Sequence, residues 1–594
     1  MKGKNKIPKC YPVFGYVCKK IPVQMATIVL LSAVESMFPA LQTLLIADCV
    51  NYILKMKQHS GGQEIYLFIG LLILTQFLQI MVPAINGFCA ELGKWKLDVF
   101  LKEEMVRKYE RLEFAYIEDN QNKEFIDRVM QNPGEHFLSI TMNLIGVVRL
   151  GITVISILLI ILNVSVWTGC VIIVICIPFY RIALRAGKEN YGMYQEEERV
   201  QRKYRYLYEV LCGREDAEER NLFHYSKEVR EKLAELYRKT YQIEKKIQER
   251  TFLNLKSGSI VTLVFAILIM GLFIPTFLKG KLSAGLFIAL TTAVLNLVQT
   301  MSWELSETMF SLASSTEYSQ EVERFFQMEE KDGATDPIGD REMLDICSVE
   351  FRNVTFRYPN TDRDILKNCS FRLNKGTVYA VVGENGAGKS TIIKLLLGFY
   401  DNYSGEILIN GKNIREYPYR EIKAAFSVVN QNFARYSISI RENIMLGSTA
   451  DPDEKKIREA VRKVGLEEKL DSLESGLDTE LGRVGKVTTE LSLGQWQRLI
   501  LARMLYSDAP VQILDEPTAA IDPIQESNVY QLFKKVGRND FTIFITHRLG
   551  AARIADRILV IAGGAAAEEG SHEELMERRG IYYDMYRSQS SWYE

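Results

Sequence analysis

Apolar and polar positions divide the chain into two unlike halves. Up to about residue 330, long apolar runs alternate with highly charged stretches; from about 345 onward the pattern is that of a soluble α/β domain. A transmembrane helix needs roughly twenty mostly apolar residues. Six segments meet that requirement, 24–53, 64–90, 138–163, 166–186, 258–280 and 282–304. The third and fourth, with "LGITVISILLIILNV" and "WTGCVIIVICIPFYRIAL", are the strongest, whereas Glu35, Asp48 and Glu91 interrupt or flank the first two. The first run begins near Val23 and is too long for the apolar core of a signal peptide, so it is expected to stay in the protein.

Connections between these segments alternate in length. Short ones ("KMKQHSGGQE", "NVSV", "FLKGK") follow the first, third and fifth, and long charged ones follow the second and fourth. Lys94, Lys96, Lys102, Arg107, Lys108 and Arg111 crowd the first long connection, and a similar set runs from Arg185 to Arg250 in the second. Positive residues favour the cytoplasmic side. That places the long connections and both termini in the cytoplasm, in agreement with Lys2, Lys4, Lys6, Lys9, Lys19 and Lys20.

"KWKLDVFLKEEMVRKYERL" has helical apolar spacing without Gly or Pro, so it predicts a helix projecting about 30 Å beyond the bilayer. Each excursion breaks near its tip, one at Asn132-Pro133-Gly134 and the other after Gly213 in "CGREDAEERNLFHY". Short helices there would press on a soluble domain; a solvated charged face is the alternative. "QMEEKDGATDPIGDREML" reads as a linker. The expected organisation is a membrane domain at 1–325, a linker at 326–345 and a soluble domain at 346–594.

Composition narrows the classes. A formal net charge of −1 over 594 residues argues against a nucleic-acid partner. The nine cysteines form no C-x-x-C pair, so neither a disulfide framework nor a zinc site is indicated.

The second half carries the chemistry. "VYAVVGENGAGKSTIIKLL" is an apolar strand, a Gly-rich turn and an apolar helix, and Gly383, Gly388, Lys389 and Ser390 satisfy G-x-x-x-x-G-K-[ST]. Glycines let backbone N–H groups wrap phosphates, Lys389 reaches their outer oxygens, and Ser390 offers a hydroxyl to Mg²⁺. The whole loop, Gly383, Glu384, Asn385, Gly386, Ala387 and Gly388 with Thr391 behind it, is the expected ATP cradle. In "VQILDEPTAAID" an apolar strand ends in Asp515, placed to hold Mg²⁺, and Glu516, placed to polarise an attacking water. "FTIFITHRL" ends another strand at His547, expected to sense the γ-phosphate or position the water.

In order along the chain come "FRYPN", the GENGAGKS loop, "VVNQNF", "LSLGQ", "ILDEPTAAID" and "THR". Together these resemble the ATP-binding-cassette exporter family, over nearly the whole chain. The resemblance implies a polytopic α-helical membrane domain (six transmembrane helices, exporter type) fused to an α/β P-loop nucleotide-binding domain. It further implies that Tyr358 stacks on adenine, that Gln431 contacts Mg²⁺ and senses the membrane domain, and that Asp522 links two nucleotide sites. Residues near 118–130 and 214–225 look like the coupling helices of exporters. "LSLGQWQRLILAR" and "YYDMYRSQ" are most similar to bacterial peptide exporters, including lantibiotic-type transporters.

Three features depart from the family pattern. Arg483 stands where many exporters carry an acid, Ala565, Ala566 and Ala567 replace a polar hairpin, and Leu493 replaces the first glycine of the signature. The last has a physical reading. Ser492 and Gln495 fit a capping box, which puts Leu493 at the first helical position, where a Cβ strains nothing. Ser492, Gly494 and Gln495 then keep the hydroxyl, the close approach and the helix N-terminus for a phosphate.

One chain supplies one phosphate loop, one signature and half of the usual pathway. The expectation is therefore a dimer, in which ATP closes two cassettes and hydrolysis releases them, most simply a homodimer and alternatively a heterodimer with a related chain. The expected activity is ATP-driven export of a peptide or amphipathic compound through a bacterial cytoplasmic membrane. Lipid flipping, half of a heterodimeric multidrug exporter, and an ATP-gated channel or sensor are the alternatives. A soluble cassette ATPase acting on nucleic acid would lack the six spans. Charges inside the membrane are costly, so Glu35 and Arg149 are candidate substrate contacts, unless they pair with each other; Glu304 is expected near an interface. The stretch ahead of the first span is too short to house a leader peptidase, so a peptide cargo would be processed elsewhere.

Overall fold

The computed structural model describes residues 10–56, 63–164, 166–167, 200–201, 203–213, 217–223, 226–335, 344–448, 451–482, 489–507, 509–516, 531 and 541–590. The chain divides into two compact units. One holds the residues up to Lys108 together with Glu124–Met328, and the other holds Tyr109–Lys123 together with Glu329 onward.

Helices come first along the chain: α1 (Cys10–Lys20), α2 (Pro22–Met56), α3 (Gln63–Tyr109), α4 (Phe114–Glu118), α5 (Asn120–Met130), α6 (Pro133–Val164), α7 (Ala217–Phe223), α8 (Ser226–Leu278) and α9 (Ala284–Gln327). By length and apolar composition α2, α3 and α6 can each cross a membrane, and α8 and α9 contain the shorter apolar stretches Ile267–Leu278 and Ala284–Asn296. The expected fourth span, 166–186, lies almost wholly outside the described residues. Helix α3 exposes Leu67, Ile73, Phe77 and Ile80. A helix that leaves such a face outward is suited to lipid rather than water.

Apolar run and charged extension are one continuous helix in α3, 47 residues long. The break expected at Asn132-Pro133-Gly134 is present: α5 stops at Met130, Asn132 takes a left-handed φ of 49°, and Pro133 opens α6. Proline is suited to a first helical position, since its missing N–H would have had no partner there.

In the helical unit α2, α6 and α9 pack on one another. Ile157 and Ile161 of α6 share a core with Ile269 and Phe273 of α8 and with Leu290 and Val294 of α9. Across the same helices runs an ion triad. The Arg149 guanidinium pairs with the Glu35 carboxylate, and its Nη2 lies 3.3 Å from Glu304 Oε2. Pairing of the two candidate substrate residues is thus the arrangement observed, with Glu304 as a third member.

The second unit holds strands β1 (Ser348–Arg357), β2 (Asp364–Asn374), β3 (Val378–Val382), β4 (Tyr403–Ile409), β5 (Lys412–Asn413), β6 (Phe426–Val429), β7 (Val511–Asp515), β8 (Phe541–Ile545), β9 (Arg557–Ala562) and β10 (Ala565–Gly570). Among the described residues they form an antiparallel sheet in the order β2-β1-β4-β5 and a second sheet in the order β10-β9-β3-β8-β7-β6. In the second sheet β9, β3, β8, β7 and β6 run parallel, and β10 is an antiparallel edge. The alanine run Ala565–Ala567 starts this edge strand, with a register shift between Ala566 and Glu568.

Every residue of β3 is buried, and its side chains alternate between two cores. Val378, Ala380 and Val382 face Trp496, Leu499 and Phe544, while Tyr379 and Val381 face Phe351, Ile393 and Ile407. A parallel strand covered on both faces reads as an unbroken apolar run for this reason. Strands β3, β8 and β7 are neighbours, so the segments beyond their carboxyl ends gather at one edge of the sheet. In open α/β sheets ligands bind there.

Residues 109–123 add to this unit. Leu112 bridges Glu330, the Glu113 N–H donates to the Glu329 carbonyl at 3.2 Å, and the Lys331 N–H to the Arg111 carbonyl at 2.8 Å. Phe114 of α4 stacks on Phe399 with ring centroids 4.5 Å apart. Glu118 accepts hydrogen bonds from the Lys394 ammonium and the Tyr400 hydroxyl. The stretch expected to meet the soluble domain, 118–130, is therefore divided. Contact is made by Phe114 to Glu118, and α5 turns Phe125, Ile126 and Val129 into its own buried face. Around the second expected tip α7 is helical, and residues 214–216 and 224–225 lie outside the described set.

Candidate nucleotide site

Beyond β3 the chain makes the turn Gly383–Gly388 and enters helix α10 (Lys389–Leu396). Two glycines are dictated by space. A Cβ at Gly383 would lie 2.3 Å from the Ile561 carbonyl oxygen, and one at Gly388, where φ is +108°, would lie 2.7 Å from the Leu366 side chain. Glycine alone tolerates both the dihedral and the approach. The Lys389 side chain folds back over the turn and donates from Nζ to the Gly383 and Glu384 carbonyls, at 2.8 and 3.0 Å. Glu384 also accepts the Ala387 N–H at 3.2 Å, which closes the turn. Asn385 and Gly386 stay exposed at its outer side.

Burial lowers the pKa of the Lys389 ammonium, against the favourable charges of Glu516 and Asp515. Burial likewise raises the carboxyl of Asp515, opposed by a hydrogen bond from Ser390 and by the charges of Lys389 and Lys394. Desolvation disfavours each charged form, and the opposite charge close by offsets part of that cost.

Glu516 directly follows β7 with a φ of 48°, an uncommon backbone for a residue with a Cβ, and its N–H donates to the Ile545 carbonyl at 3.1 Å. Strained backbone of this kind clusters at functional positions. The carboxylate takes two partners. Gln431 Nε2 donates to its Oε2 at 3.0 Å, and His547 Nδ1 lies 3.2 Å from its Oε1. Residues from three loops thus converge beside the phosphate turn.

Tyr358 anchors the other flank. Its hydroxyl lies 3.0 Å from Thr391 Oγ1, the Tyr400 ring meets it edge-on at 5.5 Å, and Lys394 Nζ stands 5.2 Å from its ring centre. A lysine over an aromatic face adds cation–π attraction. Lys394 and Glu118 were not singled out in the sequence. The available signal was one lysine within the apolar run "TIIKLLL".

The signature segment opens helix α11 (Leu493–Tyr506). The capping box read from the sequence is present: the Gln495 N–H donates to Ser492 Oγ at 3.3 Å and the Ser492 N–H to Gln495 Oε1 at 2.9 Å. Leu493 is the first helical residue, and its side chain is 43% exposed, so it displaces no core group. Gly494 follows it, half-buried. Among the described residues no hydrogen bond joins Ser492, Gly494 or Gln495 to the phosphate turn. Asp522 and Arg483 lie outside the described residues.

Comparisons with known proteins agree with this geometry. Residues 366–519 match the ABC transporter family. The subtilin transport ATP-binding protein SpaT of Bacillus subtilis is 29% identical over 522 residues, which cover 87% of this chain and 84% of SpaT. The nisin transport ATP-binding protein NisT of Lactococcus lactis subsp. lactis is 26% identical over 573 residues, 95% of this chain and 93% of NisT. The solved structure of a bacterial Atm1-family ABC exporter with ATP bound has the same fold, with a TM-score of 0.78 at 23% identity, covering 96% of this chain and 99% of that one. Residues 366–519, which carry the phosphate turn, the strand-end carboxylates and the capped signature helix, thus match the ABC transporter family, and the chain as a whole has the fold of a bacterial ABC exporter and is similar over most of its length to the ATP-binding proteins of subtilin and nisin transport.

Proposed function

We propose that two copies of this chain close over ATP and, on hydrolysis, move a lantibiotic-type peptide or a similar amphipathic compound out of the cytoplasm across a bacterial cell membrane. The observation that carries the catalytic part is the convergence of Gln431 and His547 on Glu516, beside the turn that ends at Lys389. A carboxylate held in this way can accept a proton from the attacking water, with His547 orienting both. Lys389 leaves its two carbonyl contacts for phosphate oxygens when nucleotide arrives, and Tyr358 offers its ring to the adenine. The N-terminus of α11, supplied by the second copy with its Ser492 hydroxyl and Gly494 N–H, completes the cradle; a helix N-terminus favours a phosphate. Asp522 would carry the signal between the two sites.

The oxygen donors also fit Mg²⁺. The Ser390 hydroxyl stands close enough to Asp515 to oppose the rise of its pKa, and with Nε2 turned to Glu516 the amide oxygen of Gln431 is left for a cation. Hard oxygen donors of this kind suit Mg²⁺ bound together with substrate phosphates. When bound, the ion neutralises charge on the β/γ-phosphate oxygens. Ser390, Asp515 and Gln431 would hold it.

The cargo reading rests on SpaT and NisT, whose names specify subtilin and nisin transport and of whose lengths this chain spans 84% and 93%. It is tested by ATP turnover of the full chain in nanodiscs against a panel of lantibiotic peptides, lipids and drugs. Stimulation by the peptides is expected. Stimulation by lipids or drugs alone would overturn the cargo assignment while leaving the ATP site intact.

A further inference from the structure

His547 is poorly held by packing, since its side chain is 48% exposed while that of its partner Glu516 is 15% exposed. Its position must come from the backbone. Strand β8 ends at Ile545, and residues 546–548 turn into the short helix Leu549–Ala552. Within that turn the Thr546 N–H donates to the Val381 carbonyl at 3.3 Å, and the Arg548 N–H to Thr546 Oγ1 at 3.0 Å. The carbonyl of His547 and the N–H of Leu549 are taken by one side chain from far along the sequence. Gln589 Nε2 donates to the His547 carbonyl, and Gln589 Oε1 accepts from the Leu549 N–H at 2.9 Å.

Gln589 lies near the end of helix α12 (Ile581–Ser590), which is itself fixed at its beginning. The Glu568 carboxylate of β10 accepts the N–H groups of Ile581 and Tyr582, at 2.7 and 3.0 Å. Tyr582 is fully buried, and its hydroxyl lies 2.9 Å from His572 Nδ1. Ten residues of helix span about 15 Å. The reach of Gln589 to the turn is therefore set by a rigid element, not by a mobile tail. "YYDMYRSQ", a stretch with no assigned task in the ATP site, ends in this glutamine.

We infer that Gln589 is a positioning residue for ATP hydrolysis: its amide clamps the peptide groups on either side of Arg548 and thereby holds the His547 ring against Glu516. The inference rests on the reading that His547 serves the ATP site. A primary amide suits this task, because it donates to one peptide group and accepts from the next at the same time. Misplacement of a catalytic group by about 1 Å costs up to roughly a hundredfold in rate.

The experiment uses the full chain in nanodiscs with ATP turnover, ATP binding and thermal unfolding measured together. Gln589→Ala should lower kcat about tenfold and leave KM for ATP within about twofold, because the clamp lies off the binding surface. Gln589→Glu keeps the acceptor for Leu549 and loses the donor to His547, so its kcat should fall between the two. In a His547→Ala background, itself expected to be slowed at least tenfold, Gln589→Ala should add less than about a twofold further loss. An equal fractional loss in both backgrounds would show that Gln589 merely docks its helix, and a kcat within twofold of wild type would refute the clamp. Where Gln589→Ala lowers the unfolding temperature too far to assay, Gln589→Glu with and without His547→Ala decides by the same comparison. Full turnover in His547→Ala alone would instead sink the reading of His547, an outcome distinct from failure of the clamp.

Discussion

The carboxylate of Glu516 faces the imidazole of His547, Oε1 to Nδ1 at 3.2 Å, while Gln431 holds its other oxygen at 3.0 Å. This pairing directs one oxygen toward a group able to orient water and leaves the carboxylate beside the phosphate turn. Glu516→Gln should therefore bind ATP as wild type does and lose more than about tenfold in turnover, the scale of a removed general base. The comparison is nucleotide binding against steady-state ATPase in nanodiscs. Undiminished turnover in the variant would remove Glu516 from its role.

Leu493 occupies the first turn of α11 without disturbing the reciprocal cap of Ser492 and Gln495. Leu493→Gly should accordingly change ATPase activity by less than about threefold, whereas Ser492→Ala should lower it and cost the helix about 1 kcal/mol of stability. A gain of roughly a hundredfold on restoring glycine, the size of a recovered transition-state contact, would contradict the capping argument.

Phe114 on Phe399 and Glu118 on Lys394 and Tyr400 join α4 to the elements beside the nucleotide turn. Lys394 lies between Glu118 and the ring of Tyr358. Glu118→Ala should leave basal ATPase within about twofold and lower its stimulation by transported peptide by roughly 2- to 30-fold, the range of a coupling energy carried by one contact network. Equal stimulation in the variant and wild type would show that this contact carries no signal.

Asp515 titrates above its ordinary value because it is buried. The folded chain then keeps that proton to higher pH than the unfolded chain does. Stability linked to it is complete below about pH 4 and is lost as pH rises through the raised folded value. Without nucleotide, Asp515→Asn should flatten this decline, so that its unfolding temperature gains on wild type between about pH 4 and 7. A difference independent of pH would contradict the assignment.

What the sequence made legible was local. GENGAGKS lies between an apolar strand and a helix, and S-L-G-Q carries its cap within four residues, so both were readable from spacing. The continuity of α3 followed from a run without Gly or Pro. Contacts between distant segments were not readable. Glu118 and Lys394 are 276 residues apart, and Arg149 and Glu304 are 155 apart. Periodicity fixes which face of a helix is apolar but not which side chain arrives opposite a given charge. Hence Glu35 and Arg149 stood out as costly charges, while Glu304, expected near an interface, was not read as the third member of their triad. Placement of the contact helix at Phe114–Glu118 depended in the same way on the Phe399 and Tyr400 rings.

The central claim is that hydrolysis at Glu516 drives cargo uphill. Its most direct measurement is uptake of a labelled lantibiotic peptide into inverted membrane vesicles, with the chain wild type or carrying Glu516→Gln. The account predicts that wild-type vesicles accumulate the peptide above its outside concentration only when ATP is supplied, and that the variant does not. Uptake that stops at equal concentrations, or equal accumulation by the variant, would contradict it.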